Sequence, residues 1–204
     1  MSKVQPLKAM RAVREPGKRM RSRLLDAAVM LFKDQGLAGV AVADIAAAAG
    51  AFPSQITYYF RTKEALFVEA ACREVLYVAR QAEEAAAGAA SGPHYNRVLV
   101  ETVVGSPGLA LFVEALSLTR RRQDLVPQVE RTFERLHAQG DRAYAETKAR
   151  RGWSGGDDPA VTARRFWTLA LGVALRDGAT GATTQEAVDE MLALMRHSAN
   201  GGHD

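Results

Sequence analysis

Apolar residues along this chain recur every three to four positions, the period of a helix with one buried face. Nowhere do they alternate over the four to eight residues that a half-buried strand needs. The fold class expected is all-α. A first helix is expected over about 18–35, with Leu24, Ala28, Leu31 and Phe32 on one face and Gly36 as its stop. Two short helices follow: 42–49, closed by Gly50, and 53–59, opened by Pro53, whose missing N–H suits a first helical position. Thr62 can cap a long helix over 63–87. After a break at 88–93 come a helix at 94–104 and one at 107–121 opened by Ser106-Pro107. The next, from about 124 to 151, tolerates Pro127 in its first turn and places Val129, Phe133, Leu136, Gly140 and Tyr144 on its apolar face. Asp158-Pro159 repeats the cap-then-proline signal for a helix over 159–177, and a glycine-rich hinge at 177–181 follows. Thr183 and Glu186 have capping-box spacing for a last helix ending near His197. About nine helices result, and the tail from Asn200 is expected to be disordered.

Charge divides this string of helices unevenly. Of 27 Lys/Arg and 23 Asp/Glu, residues 1–63 hold 11 basic side chains against Glu15, Asp26, Asp34 and Asp44, a net +7, while 64–204 carry −3. That asymmetry points to a polyanionic partner for the N-terminal segment; a solvated basic tail without a partner gives the same count. No apolar run approaches the roughly 18 residues of a membrane span. The basic, proline-broken start lacks the apolar stretch of a secretory signal, and the single cysteine, Cys72, excludes an internal disulfide. A cytoplasmic chain without a membrane partner is expected. His94, His137, His197 and His203 are scattered, and phosphate-loop and dinucleotide glycine patterns are missing. No catalytic residue, metal site or cofactor is expected, and the chain is read as not being an enzyme.

The two short helices carry a more specific signal. A tight turn between crossing helices needs a small residue at the crossing, a residue tolerant of positive φ in the turn and an aliphatic anchor on the second helix. Ala46, Gly50 and Ile56 meet these needs at offsets of four and six, and Ile45 adds an inward side chain. Those are the offsets of a helix-turn-helix, whose second helix enters the DNA major groove. Ser54, Gln55, Thr57 and Tyr58 are its outward candidates: Gln55 can bond an adenine bidentately and Thr57 can touch a thymine methyl. Tyr59 and Lys63 suit phosphates, Lys63 also because it starts a helix whose free N–H groups favour an anion. Lys8, Arg11, Arg14, Lys18, Arg19, Arg21 and Arg23 would add electrostatic affinity. On spacing alone, Tyr58, Tyr59 and Phe60 suit core aromatics equally. The organisation expected is a flexible basic arm at 1–17, a helix-turn-helix DNA-binding domain at 18–62 and a further helical domain at 63–204.

The stretch from 36 to 67 resembles the TetR family of bacterial regulators. The residues that carry the resemblance are Val42-Ala43-Asp44-Ile45-Ala46, Ala49-Gly50, Ile56-Thr57-Tyr58-Tyr59-Phe60 and Thr62-Lys63-Glu64-Ala65-Leu66-Phe67. Three positions depart from the family pattern: Val40-Ala41 stand where a Ser or Thr usually caps the second helix, Phe52 replaces a small polar residue in the turn, and Thr57 stands where tyrosine is common.

The resemblance implies a ligand-responsive transcriptional regulator, a repressor released from its operator by a small molecule. It also implies a homodimer joined through the last two helices, a ligand cavity among the middle helices, and the fourth helix as the lever between cavity and DNA head. Mapped onto this chain, the dimer interface would use Val161, Phe166, Leu169, Ala170, Val173, Val188, Met191, Leu192 and Met195, residues that suit packing within one protomer equally. Candidate ligand contacts are polar or aromatic residues on otherwise apolar faces: Tyr95, Glu101, Phe112, Glu114, His137, Tyr144 and Trp167, for each of which core packing or simple exposure is the other reading. The alternative function is a helical architectural or interaction protein that binds DNA without sequence preference.

Overall fold

The computed structural model describes the backbone of residues 6–153 and 158–200, with side chains for 16–153 and 158–196. Among these residues there are nine α-helices and no strand: α1 (Pro6–Gly39), α2 (Val42–Ala48), α3 (Pro53–Phe60), α4 (Lys63–Ala86), α5 (Gly92–Val104), α6 (Pro107–Thr119), α7 (Val126–Arg151), α8 (Pro159–Thr180) and α9 (Thr184–Asn200), with a 3-10 turn, Gln123–Leu125, before α7. The chain divides into two compact units, 1–70 and 71–204. No single helix among the described residues is long and apolar enough to cross a membrane.

In the first unit α1 breaks at Gly36, which takes φ 66° as a stop residue should. Its start differs from expectation. The backbone is helical from Pro6, with Pro16 inside the helix, rather than from residue 18. Leu7, Ala9, Met10, Arg11 and Ala12 are strong helix formers, and Pro16 removes one backbone hydrogen bond from the run they begin. The side chains of Lys8, Arg11 and Arg14 lie outside the described residues. Leu24, Ala28 and Phe32 of α1 are buried against Ile45 and Ala46 of α2, Ile56 and Phe60 of α3, and Leu66 and Phe67 at the start of α4. Phe32 meets Phe67 edge-on at 5.0 Å, the preferred geometry for aromatic pairs.

In the second unit the sequence signals for helix starts reappear as hydrogen bonds. Ser106 accepts from the Gly108 N–H (3.1 Å), Asp158 from Ala160 (2.9 Å) and Val161 (3.2 Å), and Thr183 and Glu186 bond reciprocally. The Thr183 N–H and hydroxyl, each donating to the Glu186 carboxylate at 2.8 Å, hold its pKa below the ordinary value. Several boundaries moved; α9 runs to Asn200, past the expected end near His197 and into the first residue of the expected tail. α5 starts at Gly92 with Ser91 as its cap, so Pro93 falls inside the first turn where its missing N–H is harmless. α8 runs through the expected hinge to Thr180 and ends only at Gly181, φ 74°. Gly178 stays helical because a single glycine weakens a helix by about 1 kcal/mol without stopping it. Residues 201–204 of the expected tail lie outside the described residues. α8 is central, touching α5, α6, α7 and α9.

Arg61 is the only non-glycine with positive φ among the described residues (φ 67°, ψ −52°), and it closes α3 by donating its N–H to the Thr57 carbonyl at 3.0 Å. Such a conformation costs an L-residue about 1–3 kcal/mol. Arg61→Gly should therefore raise the unfolding free energy by about 1 kcal/mol, the relieved strain exceeding glycine's added chain entropy, as read from urea denaturation.

Candidate functional site

The two-helix motif forms as its spacing requires. Ile45, Ala46 and Ile56 are buried, and Gly50 takes φ 59° in the turn. A side chain at Gly50 would be strained there and would also meet the Arg23 guanidinium at 3.2 Å. The Ala51 N–H donates to the Ala46 carbonyl at 2.8 Å and tightens the turn. Neither short helix has a side-chain acceptor at its N-cap. Instead the third residue reaches back: Asp44 accepts from the Ala41 N–H (2.9 Å) and Gln55 from the Phe52 N–H (3.0 Å). Asp44 thus covers the start that Ala41 leaves uncapped.

This alters two readings of α3. Gln55 places Oε1 on the Phe52 N–H, so the bidentate adenine contact expected of it would share that oxygen with the cap, while Nε2 keeps its donors. Tyr58 is 79 % exposed, and Ser54 and Thr57 are exposed beside it. Tyr59 is half-buried, stacks edge-on with Tyr58 at 4.9 Å, and turns its hydroxyl toward α1, 3.4 Å from where a side chain on Gly17 would lie. Phe52, 76 % exposed at the start of α3, was not among the candidates; its departure from the family pattern was the available signal.

Several cations expected to reach DNA are held inside the first unit. Lys63 Nζ donates to the Leu37 and Val40 carbonyls, both at 2.9 Å, on either side of the loop after Gly36. Arg23 donates from Nε (3.1 Å) and Nη2 to the Ala49 carbonyl and again to Gly50 (3.0 Å), placing a positive charge at the C-terminus of α2, where the helix dipole favours it. Arg21 pairs with Glu69 and lies over the Phe60 ring, 4.8 Å from its centroid. Two of the three Lys63 donors thus serve carbonyls left open where α1 ends, within this unit.

The second unit contains a cavity with about 500 Å³ of empty space, its open mouth included, bounded by residues of α4, α5, α7, α8 and α9. Of the candidate ligand contacts, Tyr95, Tyr144 and Trp167 line it. Glu101, Phe112, Glu114 and His137 do not. Glu101 is exposed and paired with Arg97 at 3.4 Å; Glu114 is exposed; Phe112 is fully buried against Phe133, 5.6 Å between ring centres. His137 stands 5.9 Å from the Phe133 ring, its pKa pushed down by burial and by Arg164. Glu83, Asn96, Thr162, Phe166 and Met195 also line the cavity. Burial, with the Glu83 carboxylate next in weight, pushes the Tyr95 hydroxyl up to about 12, against the opposing bond to Thr147.

The residues assigned to a dimer face are mostly internal. Phe166, Ala170, Val173, Val188, Met191 and Leu192 are buried within the protomer, and Leu169 and Met195 are half-buried; Val161 alone of the set is exposed, at 42 %. An apolar period cannot distinguish a face turned to neighbouring helices from one turned outward. The outward apolar side chains of α8 and α9 are Val161, Leu175 (59 %) and Leu194 (41 %).

Residues 24–70 match the family model described as bacterial regulatory proteins of the tetR family, and residues 93–196 match one described as bacterial transcriptional repressor C-terminal. A candidate transcriptional regulator from Rhodococcus sp. RHA1 superposes with a TM-score of 0.76 at 36% identity, covering 88% of this chain and 95% of its own. Two more distant structures share the fold. One is a candidate TetR-family regulator from Mesorhizobium loti MAFF303099 (TM-score 0.64, 20% identity, 89% of this chain, 95% of its own). The other is the fatty acid degradation regulator FadR from Bacillus halodurans (TM-score 0.64, 17% identity, 90% of this chain, 96% of its own). No curated protein matches the chain.

Lys63→Met should lower stability by about 1–3 kcal/mol in urea unfolding, because two buried-side carbonyls lose their donor. It should leave the slope of log DNA affinity against log salt unchanged; a slope smaller by about 0.9 would restore Lys63 to the phosphates. The folded protein keeps the Tyr95 proton to about 12, whereas the unfolded chain releases it near the ordinary 10.0. Stability should therefore fall as pH rises through that window, and Tyr95→Phe should flatten the fall in denaturation series.

Proposed function

The chain belongs to the TetR family of ligand-responsive, DNA-binding transcriptional repressors, and we propose that it works as a homodimer whose two α3 helices read an operator and whose cavity takes the releasing effector. The observation that carries the DNA half is the outward row Ser54, Thr57 and Tyr58 on a helix whose opposite side, Ile56 and Phe60, is buried. Such a helix presents its polar face to the major groove; Phe52 adds an apolar edge that suits a thymine methyl. With Lys63 and Arg23 engaged internally, Tyr59, Arg19 and Arg61 are phosphate candidates on this unit. An architectural protein indifferent to sequence is not favoured by the family assignment.

For release, α4 is the connecting element. It is one uninterrupted helix whose first turns carry Lys63 and Glu69, the partners of the α1 carbonyls and of Arg21, and whose later turns carry Ala79, Ala82 and Glu83 on the cavity wall. An effector that prefers a shifted α4 by a few kcal/mol moves the population from operator-bound to free.

Thr57→Ala and Tyr58→Ala should each reduce discrimination between operator and random duplex by about 1–3 kcal/mol in competition gel shifts, with little change in non-specific affinity. Equal loss on all sequences would reassign them to the phosphates. Leu175→Glu, on the outward stripe of α8, should convert a sedimenting dimer to monomer; an unchanged sedimentation coefficient would place the interface elsewhere.

A further inference from the structure

The effector cavity carries one charged residue among those that line it, and it is an acid. Glu83 stands among Tyr95, Tyr144, Phe166, Trp167 and Leu99, with no Lys, Arg or His on the wall. We propose that the effector is an amphipathic cation, a protonated amine on an apolar or aromatic body, held by the Glu83 carboxylate and the ring faces around it. This deepens the reading given above and rests on it.

Three observations support the assignment. The Glu83 side chain is half-buried, and its hydrogen-bond partner among the described residues is Gln139, whose Nε2 donates to Oε2 at 2.9 Å. A carboxylate has about four acceptor positions, so a neutral amide donor leaves capacity for an ammonium. Second, the local field does not neutralise it. Burial is the largest influence on Glu83 and lifts its pKa; the Gln139 bond and Arg142 oppose this, while Glu84 and Glu146 add to it, and the balance stays upward. An arriving cation stabilises the charged form that burial disfavours. Third, Tyr95, Tyr144, Phe166 and Trp167 line the same cavity, and aromatic rings attract a cation through their quadrupoles, which favours an ammonium over a neutral group of the same shape. An anionic effector would meet a like charge with no cationic side chain on the wall to offset it.

Isothermal titration of the full chain with phenethylamine, phenethyl alcohol and hydrocinnamate tests this, since the three share one body and differ in the headgroup. The amine should bind about tenfold tighter than the alcohol, the margin of a charge-assisted over a neutral hydrogen bond, and the carboxylate should bind weakest. Glu83→Gln keeps the side-chain length and an oxygen for Gln139, and should bring amine and alcohol within about twofold. Tightest binding by the alcohol or the carboxylate, no binding by any of the three, or an amine preference that survives Glu83→Gln overturns the proposal. If that variant lacks a helical far-ultraviolet signal, Glu83→Met replaces it, removing the charge at similar side-chain length, and an undiminished amine preference there overturns the role of Glu83. Operator binding without any probe is scored separately: its persistence alongside failed amine selectivity removes only the cation, while its absence removes the regulator reading itself.

Discussion

A helix that ends leaves carbonyls its own backbone cannot satisfy, and in the first unit two such ends lie close to α3 in the chain. Arg23 closes the end of α2 and Lys63 the loop after α1, each with more than one bond to backbone oxygen. These cations fix the turn through Gly50 and the loop before α2, and so fix where α3 points. The buried set around Ile45, Ala46, Ile56 and Phe67 supplies the packing, but apolar contact is non-directional; the guanidinium and ammonium bonds supply direction.

This arrangement changes how the excess positive charge of the N-terminal segment is understood. Part of it is structural. Arg21 is held by Glu69 and Phe60, Arg23 by α2, and Lys63 by the α1 loop, so the electrostatic attraction for a polyanion falls to fewer groups than the count of 11 basic residues suggests. Charge committed to backbone carbonyls still contributes to the long-range field, but it does not release a counterion at a phosphate contact.

The legible parts of the sequence were those where one residue type answers one local constraint. Gly36 and Gly50 mark positive φ; Ser106, Asp158 and Thr183 mark helix starts; Ala46 and Ile56 mark a crossing and an anchor. What stayed hidden depends on partners distant in the chain. Nothing near Lys63 in sequence signals that its ammonium meets Leu37 and Val40. Gln55 reads as a base contact until its carbonyl is found on Phe52. The cavity draws Glu83, Asn96 and Thr162 from three helices, each unremarkable in its own periodicity. The apolar residues of α8 and α9 reveal that a face is buried without revealing by what.

The most direct measurement is selection of bound duplexes from a random pool by the purified chain at moderate salt. Two related half-sites, separated by about one helical turn or a multiple of it, should be enriched, with affinity at least about 10³-fold above random duplex. Recovery of the pool without enrichment, every duplex held equally, would contradict the account that the clamped α3 helix reads base sequence.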